Sequence, residues 1–224
     1  MRWEYFIVAI IGYLMGGINF AFIFAKINKK DIRTMGSGNP GTMNVMRNLG
    51  AKWGILTFIG DAAKGALPAL IGYFWLLNTG DGVRALYLGG ICSILGHMFP
   101  LFNGFKGGKG VATSIGVFLV ADPKWSGITF AILLVVLIIF KYSSLSSLTF
   151  VTVMTVIQGH HHMGDLMISV LLFLICLLVW WGHRKNIVQL IVGTERKSNL
   201  LKVLKKIKKP KDNSDKTVAK NKDL

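Results

Sequence analysis

From Tyr5 to Ala25 the chain is apolar without interruption except at Asn19. A run of that length can cross about 30 Å of hydrocarbon as a helix. Further apolar segments follow at about 54–77, 84–101, 111–121, 127–140, 145–158 and 165–181. A cleaved leader does not fit the first run, which lacks a clear small-residue cleavage site and is followed by more of its kind. Hydrophobic residues make up 52% of the 224, and charged residues only 16%, against about 25% charged in an ordinary soluble domain. A soluble enzyme, a disordered chain and a collagen-like chain are all excluded. The expected fold is an all-α integral membrane protein, a compact bundle of about seven transmembrane helices. Three middle segments are shorter than the roughly 20 residues of a full span, so five to seven crossings fit and seven is favoured.

The charges orient this bundle. Lys26, Lys29, Lys30, Arg33, Arg47 and Lys52 fall in the first loop, Lys106 and Lys109 in the third and Lys141 in the fifth, whereas the opposite face receives Arg2, Arg84 and Lys124. Basic residues collect on the cytoplasmic side, which places the N-terminus outside and the C-terminus in the cytoplasm. The net charge is +16, and the stretch from Arg196 to Leu224 carries 11 basic and 3 acidic residues of it. Residues 1–197 thus read as the membrane-embedded domain and 198–224 as a basic cytoplasmic tail. In that tail Leu200, Val203, Leu204 and Ile207 have helical spacing among lysines, as an amphipathic helix on an anionic leaflet would, or as a plain solvated tail. Beyond Pro210 the composition argues for disorder. No recognition-helix or zinc-finger pattern supports nucleic-acid binding. Cys92 and Cys176 sit within apolar runs without metal-ligand spacing, as packed thiols.

Three polar clusters fall on the predicted cytoplasmic face. Gly36-Ser37-Gly38-Asn39-Pro40-Gly41 leads into Asn44 and Arg47; glycines expose backbone amides to an anion, and the arginine offers a bidentate phosphate partner. The strongest signal runs from Gly96-His97 through Gly104, Lys106, Gly107, Gly108, Lys109 and Gly110 to Thr113. Glycines interleaved with lysines just before a helix N-terminus make a phosphate or oxyanion cradle. The nucleotide P-loop pattern fails, because Lys109 stands where it requires glycine. The third cluster is His183-Arg184-Lys185-Asn186 with Glu195, and Ser144 is a further substrate-contact candidate. Asp61 and Lys64, one turn apart in an apolar segment, are costly when buried; they read as a structural pair or as lining the site, with the structural pair favoured. No set of Asp, Glu or His has metal-ligand spacing among these clusters, and no cofactor is implied. A phosphate-binding roof on an apolar bundle calls for a substrate with both a phosphate and a greasy chain. A transporter for phosphorylated solutes is the alternative, although its site would lie near the midplane.

GSGNPGTMNVMRNLG, GHMFPLFNGFKGGKGVATSIG and HRKNIVQLIVGTE together closely resemble the PlsY family of bacterial membrane acyltransferases. The likeness covers Tyr5 to about Lys197. It departs at Thr42-Met43, where the family usually has Ala-Thr, at Lys185, where Glu is common, and in the lysine-rich tail. The resemblance implies a seven-helix enzyme of the bacterial inner membrane that moves a fatty acyl group from acyl phosphate to the 1-hydroxyl of glycerol 3-phosphate; a monomer is expected, with no nucleic-acid partner. It implies catalytic roles for Ser37, Arg47, Lys106, Lys109, His183 and Asn186. Substrate contacts are implied at Gly38, Asn39, Asn44, His97, Gly104, Gly107, Gly108, Gly110, Thr113, Ser144 and Glu195. The base is His183 or the substrate's own phosphate. His160-His161-His162-Met163-Gly164-Asp165 imitates the His-x4-Asp signature of a different acyltransferase class, but it lies on the predicted outer face and reads as chance, or at most as a weak external metal-binding tract. In a background lacking Cys92 and Cys176, Ser37→Cys should resist a membrane-impermeant thiol reagent added outside the cell; selective labelling from outside would overturn the orientation.

Overall fold

The computed structural model describes residues 2–198, and the proposed tail helix at 199–209 lies outside them. The described chain forms ten α-helices: α1 (Trp3–Gly16), α2 (Phe20–Ile27), α3 (Thr42–Leu49), α4 (Ala51–Leu76), α5 (Gly82–Met98), α6 (Val111–Ala121), α7 (Pro123–Phe140), α8 (Ser143–His161), α9 (Leu166–Gly182) and α10 (Arg184–Ile191). Every apolar segment read from the sequence is mainly helical, the first as two helices. Length and composition alone qualify four of the spans: Trp3–Ile27, Ala51–Thr79, Gly82–Asn103 and Pro123–Phe140. A fifth is added if α9 and α10, bent by 59° at His183, count as one. The count of seven is therefore not met by these measures. Helix α6 has only 11 residues, and α8 carries too many Ser, Thr, His and Gln residues for a conventional span.

The bundle buries polar groups alongside its apolar core and shows large apolar side chains on its outside. Phe6, Ile59, Phe74, Ile139 and Phe173 are exposed, whereas Thr57, Asp61, Lys64, Ser93, Thr113 and Ser114 are buried. That arrangement suits a hydrocarbon solvent, in which a lone polar group is costly. Helix contact then relies on close van der Waals packing through small residues. A Cβ on Gly16 would strike the Ser93 backbone, and one on Gly96 would strike the Tyr13 carbonyl, so α1 and α5 touch backbone to backbone. Gly65 and Gly116 do the same for α4 and α6.

Two interruptions are satisfied locally. The first run is not one helix, because it breaks between α1 and α2 at Gly17-Ile18-Asn19. Asn19 caps α2 by accepting the Phe22 amide at 3.2 Å, and Lys64 Nζ donates to the Ile18 carbonyl at 2.7 Å. Pro68 within α4 has no N–H to give the carbonyl four residues back. That carbonyl, on Lys64, accepts instead from Ser93 Oγ at 2.6 Å.

The main core gathers Tyr87, Ile94, Phe118, Phe150, Met154, Leu172 and Ile175. A smaller one of Ala21, Ala25, Ile32 and Val45 fastens α2 to α3 and so anchors the loop between them. Gly116→Ala should cost about 1–3 kcal/mol, because overpacking forces helices apart, and should lower the thermal midpoint of the detergent-solubilised protein. Gly159→Ala, whose Cβ meets nothing within 4 Å, is the control and should not lower it.

Candidate active site

The three polar clusters meet at one end of the bundle. Lys109, in the turn between α5 and α6, donates from Nζ to Asn186 Oδ1 on α10. Asn186 Nδ2 donates to Glu195 Oε1 at 2.9 Å and Oε2 at 2.8 Å. Glu195 Oε1 also accepts from Ser144 Oγ at 3.1 Å, from the first turn of α8. One hydrogen-bonded chain thus joins residues 109, 144, 186 and 195.

The glycines before Lys109 fold that turn back on α5. Gly107 and Gly108 amides donate to the Met98 and His97 carbonyls, both at 3.1 Å. Gly110, at a φ of +82°, is the cap from which α6 starts. The Lys109 backbone rests on Gly182, where a Cβ would come within 3.4 Å of it. Lys106, by contrast, is exposed, and its amine has no hydrogen-bond or ion-pair partner among the described residues. Of the two lysines, Lys109 is the one built into the network. Burial pulls its pKa down to about 8, the Glu195 carboxylate opposing and the Arg47 guanidinium adding to the shift.

His183, at the bend between α9 and α10, is 2% exposed. Its Nδ1 lies 2.8 Å from the Val179 carbonyl. A carbonyl can only accept, so Nδ1 carries the proton and Nε2 is the nitrogen left for other chemistry.

The first loop divides its labour. Asn44 is buried; its Oδ1 accepts from the Ser37 amide and from Asn48 Nδ2, both at 3.0 Å, and its Nδ2 donates to the Met35 carbonyl at 3.0 Å. Its amide is saturated by its own loop, which corrects the expectation of a substrate contact there. Ser37 is exposed and Asn39 and Gly38 are half-buried, so these remain open to a ligand. Arg47 Nη2 donates to Ser198 Oγ, and the Ser198 amide donates to the Lys141 carbonyl at 2.6 Å. Ser198 was not visible in the sequence as a site residue, since it stands at the edge of the basic tail without a motif.

His97 also differs from expectation. Its ring is 3% exposed, with Nδ1 facing Asp61 at 3.7 Å and Nε2 beneath Gly108. It faces the interior of the bundle, so it lines the turn from below. Thr113 is fully buried in the first turn of α6, and its hydroxyl has no partner among the described residues. Gly104 lies at a φ of +63°, on the exposed rim of the turn. The His160–Asp165 stretch begins at the far end of α8 from Ser144, roughly 24 Å away at 1.5 Å per residue. There Asp165 pairs with Arg84 at 2.8 Å and His161 Nδ1 lies 3.4 Å from Asp122.

A membrane-embedded helical bundle with a lysine, an arginine and glycine turns gathered at one end is the framework of an enzyme that handles phosphorylated substrates. A family profile described as glycerol-3-phosphate acyltransferase matches residues 6–193. Proteins of that description are 41% identical over 198 residues in Clostridioides difficile, covering 87% of this chain and 95% of the relative, and 38% identical over 190 residues in Aquifex aeolicus, covering 85% and 97%. The crystal structure of PlsY (YgiH), an integral membrane glycerol 3-phosphate acyltransferase, superposes in its glycerol 3-phosphate form with a TM-score of 0.81 at 36% identity, over 89% of this chain and 98% of that one. Its lysophosphatidic acid form gives 0.79. The chain belongs to the glycerol-3-phosphate acyltransferase family and is a multi-pass integral membrane protein.

Lys109 should react with an amine-directed acylating reagent with a midpoint near pH 8, read by peptide mass spectrometry, well below ordinary lysines. Glu195→Gln should move that midpoint lower still, because the carboxylate favours the charged amine.

Proposed function

We propose that this protein transfers a fatty acyl group from acyl phosphate to the 1-hydroxyl of glycerol 3-phosphate, releasing 1-acyl-glycerol 3-phosphate and phosphate. The observation that carries the reading is the Lys109–Asn186–Glu195–Ser144 chain, with Arg47 held nearby through Ser198 and the Lys141 backbone. It gathers two cations and two glycine turns where an apolar bundle meets its polar end.

Acyl phosphate is a mixed anhydride with phosphate as its leaving group, so the acceptor hydroxyl can attack the carbonyl carbon directly. The carbonyl electron pair moves onto oxygen as the new C–O bond forms. The hydroxyl proton passes to Nε2 of His183 or to a substrate phosphate oxygen. Collapse of the tetrahedral intermediate breaks the bond to the phosphate oxygen and gives the ester. Lys109 and the amides of its turn stabilise the oxyanion and the departing phosphate. Arg47, Ser37, Gly38 and Asn39 hold the acceptor phosphate and supply positioning. Asn186, oriented by Glu195 and through it by Ser144, aims the lysine. Lys106, on the exposed rim, attracts anionic substrates to the turn, and Gly104 lets the chain reverse there.

The same reading places the site at the cytoplasmic face of a bacterial inner membrane. It takes seven crossings, the N-terminus outside, residues 1–197 as the enzyme domain and a monomer as the working unit. The basic residues around α2, α3 and the α5–α6 turn support that orientation.

Purified protein given palmitoyl phosphate should release phosphate and form lysophosphatidic acid only when glycerol 3-phosphate is present, with palmitoyl-CoA inert. Turnover with palmitoyl-CoA would overturn the donor assignment. Lys109→Ala and Arg47→Ala should each lower kcat/KM by about 10²-fold or more, the scale of losing one oxyanion or phosphate donor, while still inserting and folding. The ammonium form of Lys109 is the active one, so kcat/KM should fall as pH rises through about 8. Lys109→Arg, which stays charged, should lose that alkaline limb.

A further inference from the structure

Asp61 and Lys64 have no part in the chemistry above, yet they are 1% and 3% exposed in the middle of α4. Asp61 Oδ1 lies 2.8 Å from Lys64 Nζ. Replacing a buried ion pair by apolar residues of similar volume is often neutral or stabilising, so packing alone is a weak reason for it. The surroundings suggest a use. Lys64 is tethered to the α1–α2 break through the Ile18 carbonyl and to α5 through Ser93. On its other side Asp61 Oδ1 faces His97 Nδ1 at 3.7 Å.

His97 touches the lysine turn twice. Its carbonyl accepts the Gly108 amide at 3.1 Å, and a Cβ on Gly107 would run into that same oxygen. A Cβ on Gly108 would run into the imidazole Nε2, and would also come within 3.2 Å of the Pro40 carbonyl. The imidazole is therefore wedged between the Asp61 carboxylate and the backbone just before Lys109, where the first loop also makes contact. Glycines carry no side chain with which to hold their own conformation, so the turn takes its position from what lies under it.

We propose that Asp61 and Lys64 hold the His97 ring as the floor of the Gly107–Gly108 turn and thereby fix where Lys109 reaches. Asp61, Lys64 and His97 are positioning residues for acyl transfer. A supporting group of this kind sets geometry that the reacting groups cannot set alone. The assignment rests on the Lys109 reading above.

The test uses Asp61→Asn/Lys64→Met, which removes both charges together and so leaves no uncompensated buried ion, beside His97→Gln, which keeps the ion pair. Wild type and Lys109→Ala are assayed alongside; a Lys109→Ala protein as active as wild type would sink the site reading itself, separately from this inference. With that reading standing, the folded double variant should lose about tenfold or more in kcat with KM for glycerol 3-phosphate changed less than twofold. Its alkaline limb in kcat/KM should move above pH 8 as the displaced lysine gains solvent. His97→Gln should reproduce both effects, and it decides the matter if the double variant does not fold. Wild-type kcat and an unmoved limb in either folded variant would overturn the proposal. So would a loss that matches only the fraction of unfolded protein.

Discussion

Backbone laid directly on backbone is the contact on which this structure depends. Between helices in lipid there is little hydrophobic gain to be had, since the tails are as apolar as the side chains they replace. Attraction must come from close approach, and Gly16, Gly96, Gly65 and Gly116 permit it by leaving no side chain between α1 and α5 or between α4 and α6. The close packing has a second effect: it leaves α5 and α6 at a fixed separation, so the turn between them is held at both ends. A glycine-rich turn anchored this firmly can present a lysine without being rigid itself.

The site then works by indirect orientation. Glu195 does not pair with Lys109 directly. Both of its oxygens accept from the Asn186 amide nitrogen, which forces the Asn186 oxygen toward the lysine. The carboxylate thus steers the amine while leaving its charge unneutralised by a direct contact. Ser144 fixes the carboxylate in turn. Four residues from the turns and ends of separate helices share one purpose, and the amide is the element that converts an acid into a pointer.

Much of this was legible in the chain. The three polar clusters carry glycine, lysine, arginine and amide side chains at breaks between apolar runs, and positive charge put them on one face; their convergence follows. Asn19 marked the break in the first run as its only polar residue. Other features were not legible, for physical reasons. Lys106 and Lys109 look equivalent in sequence, and what distinguishes them is the fold: Lys109 bonds Asn186 on α10 beside the turn's contact with Gly182, whereas Lys106 is exposed. Asn44 reads as a ligand-binding amide because nothing in the sequence reveals that the backbone curls round to consume its donors and acceptor. Helix length and hydropathy do not reveal seven spans, because α6 has only 11 residues and α8 is rich in hydroxyls, of which Ser147 and Thr149 donate to carbonyls one turn back.

The segment after α10 folds back over the site, and Ser198 joins Arg47 to the α7–α8 turn. The route by which the chain leaves the enzyme is therefore a piece of the enzyme. The compositional boundary at 197 marks where the charge changes, and Ser198, the next residue, contacts Arg47. Fusion of a second protein, or trimming for expression, at that point would cut the Ser198 contact of Arg47.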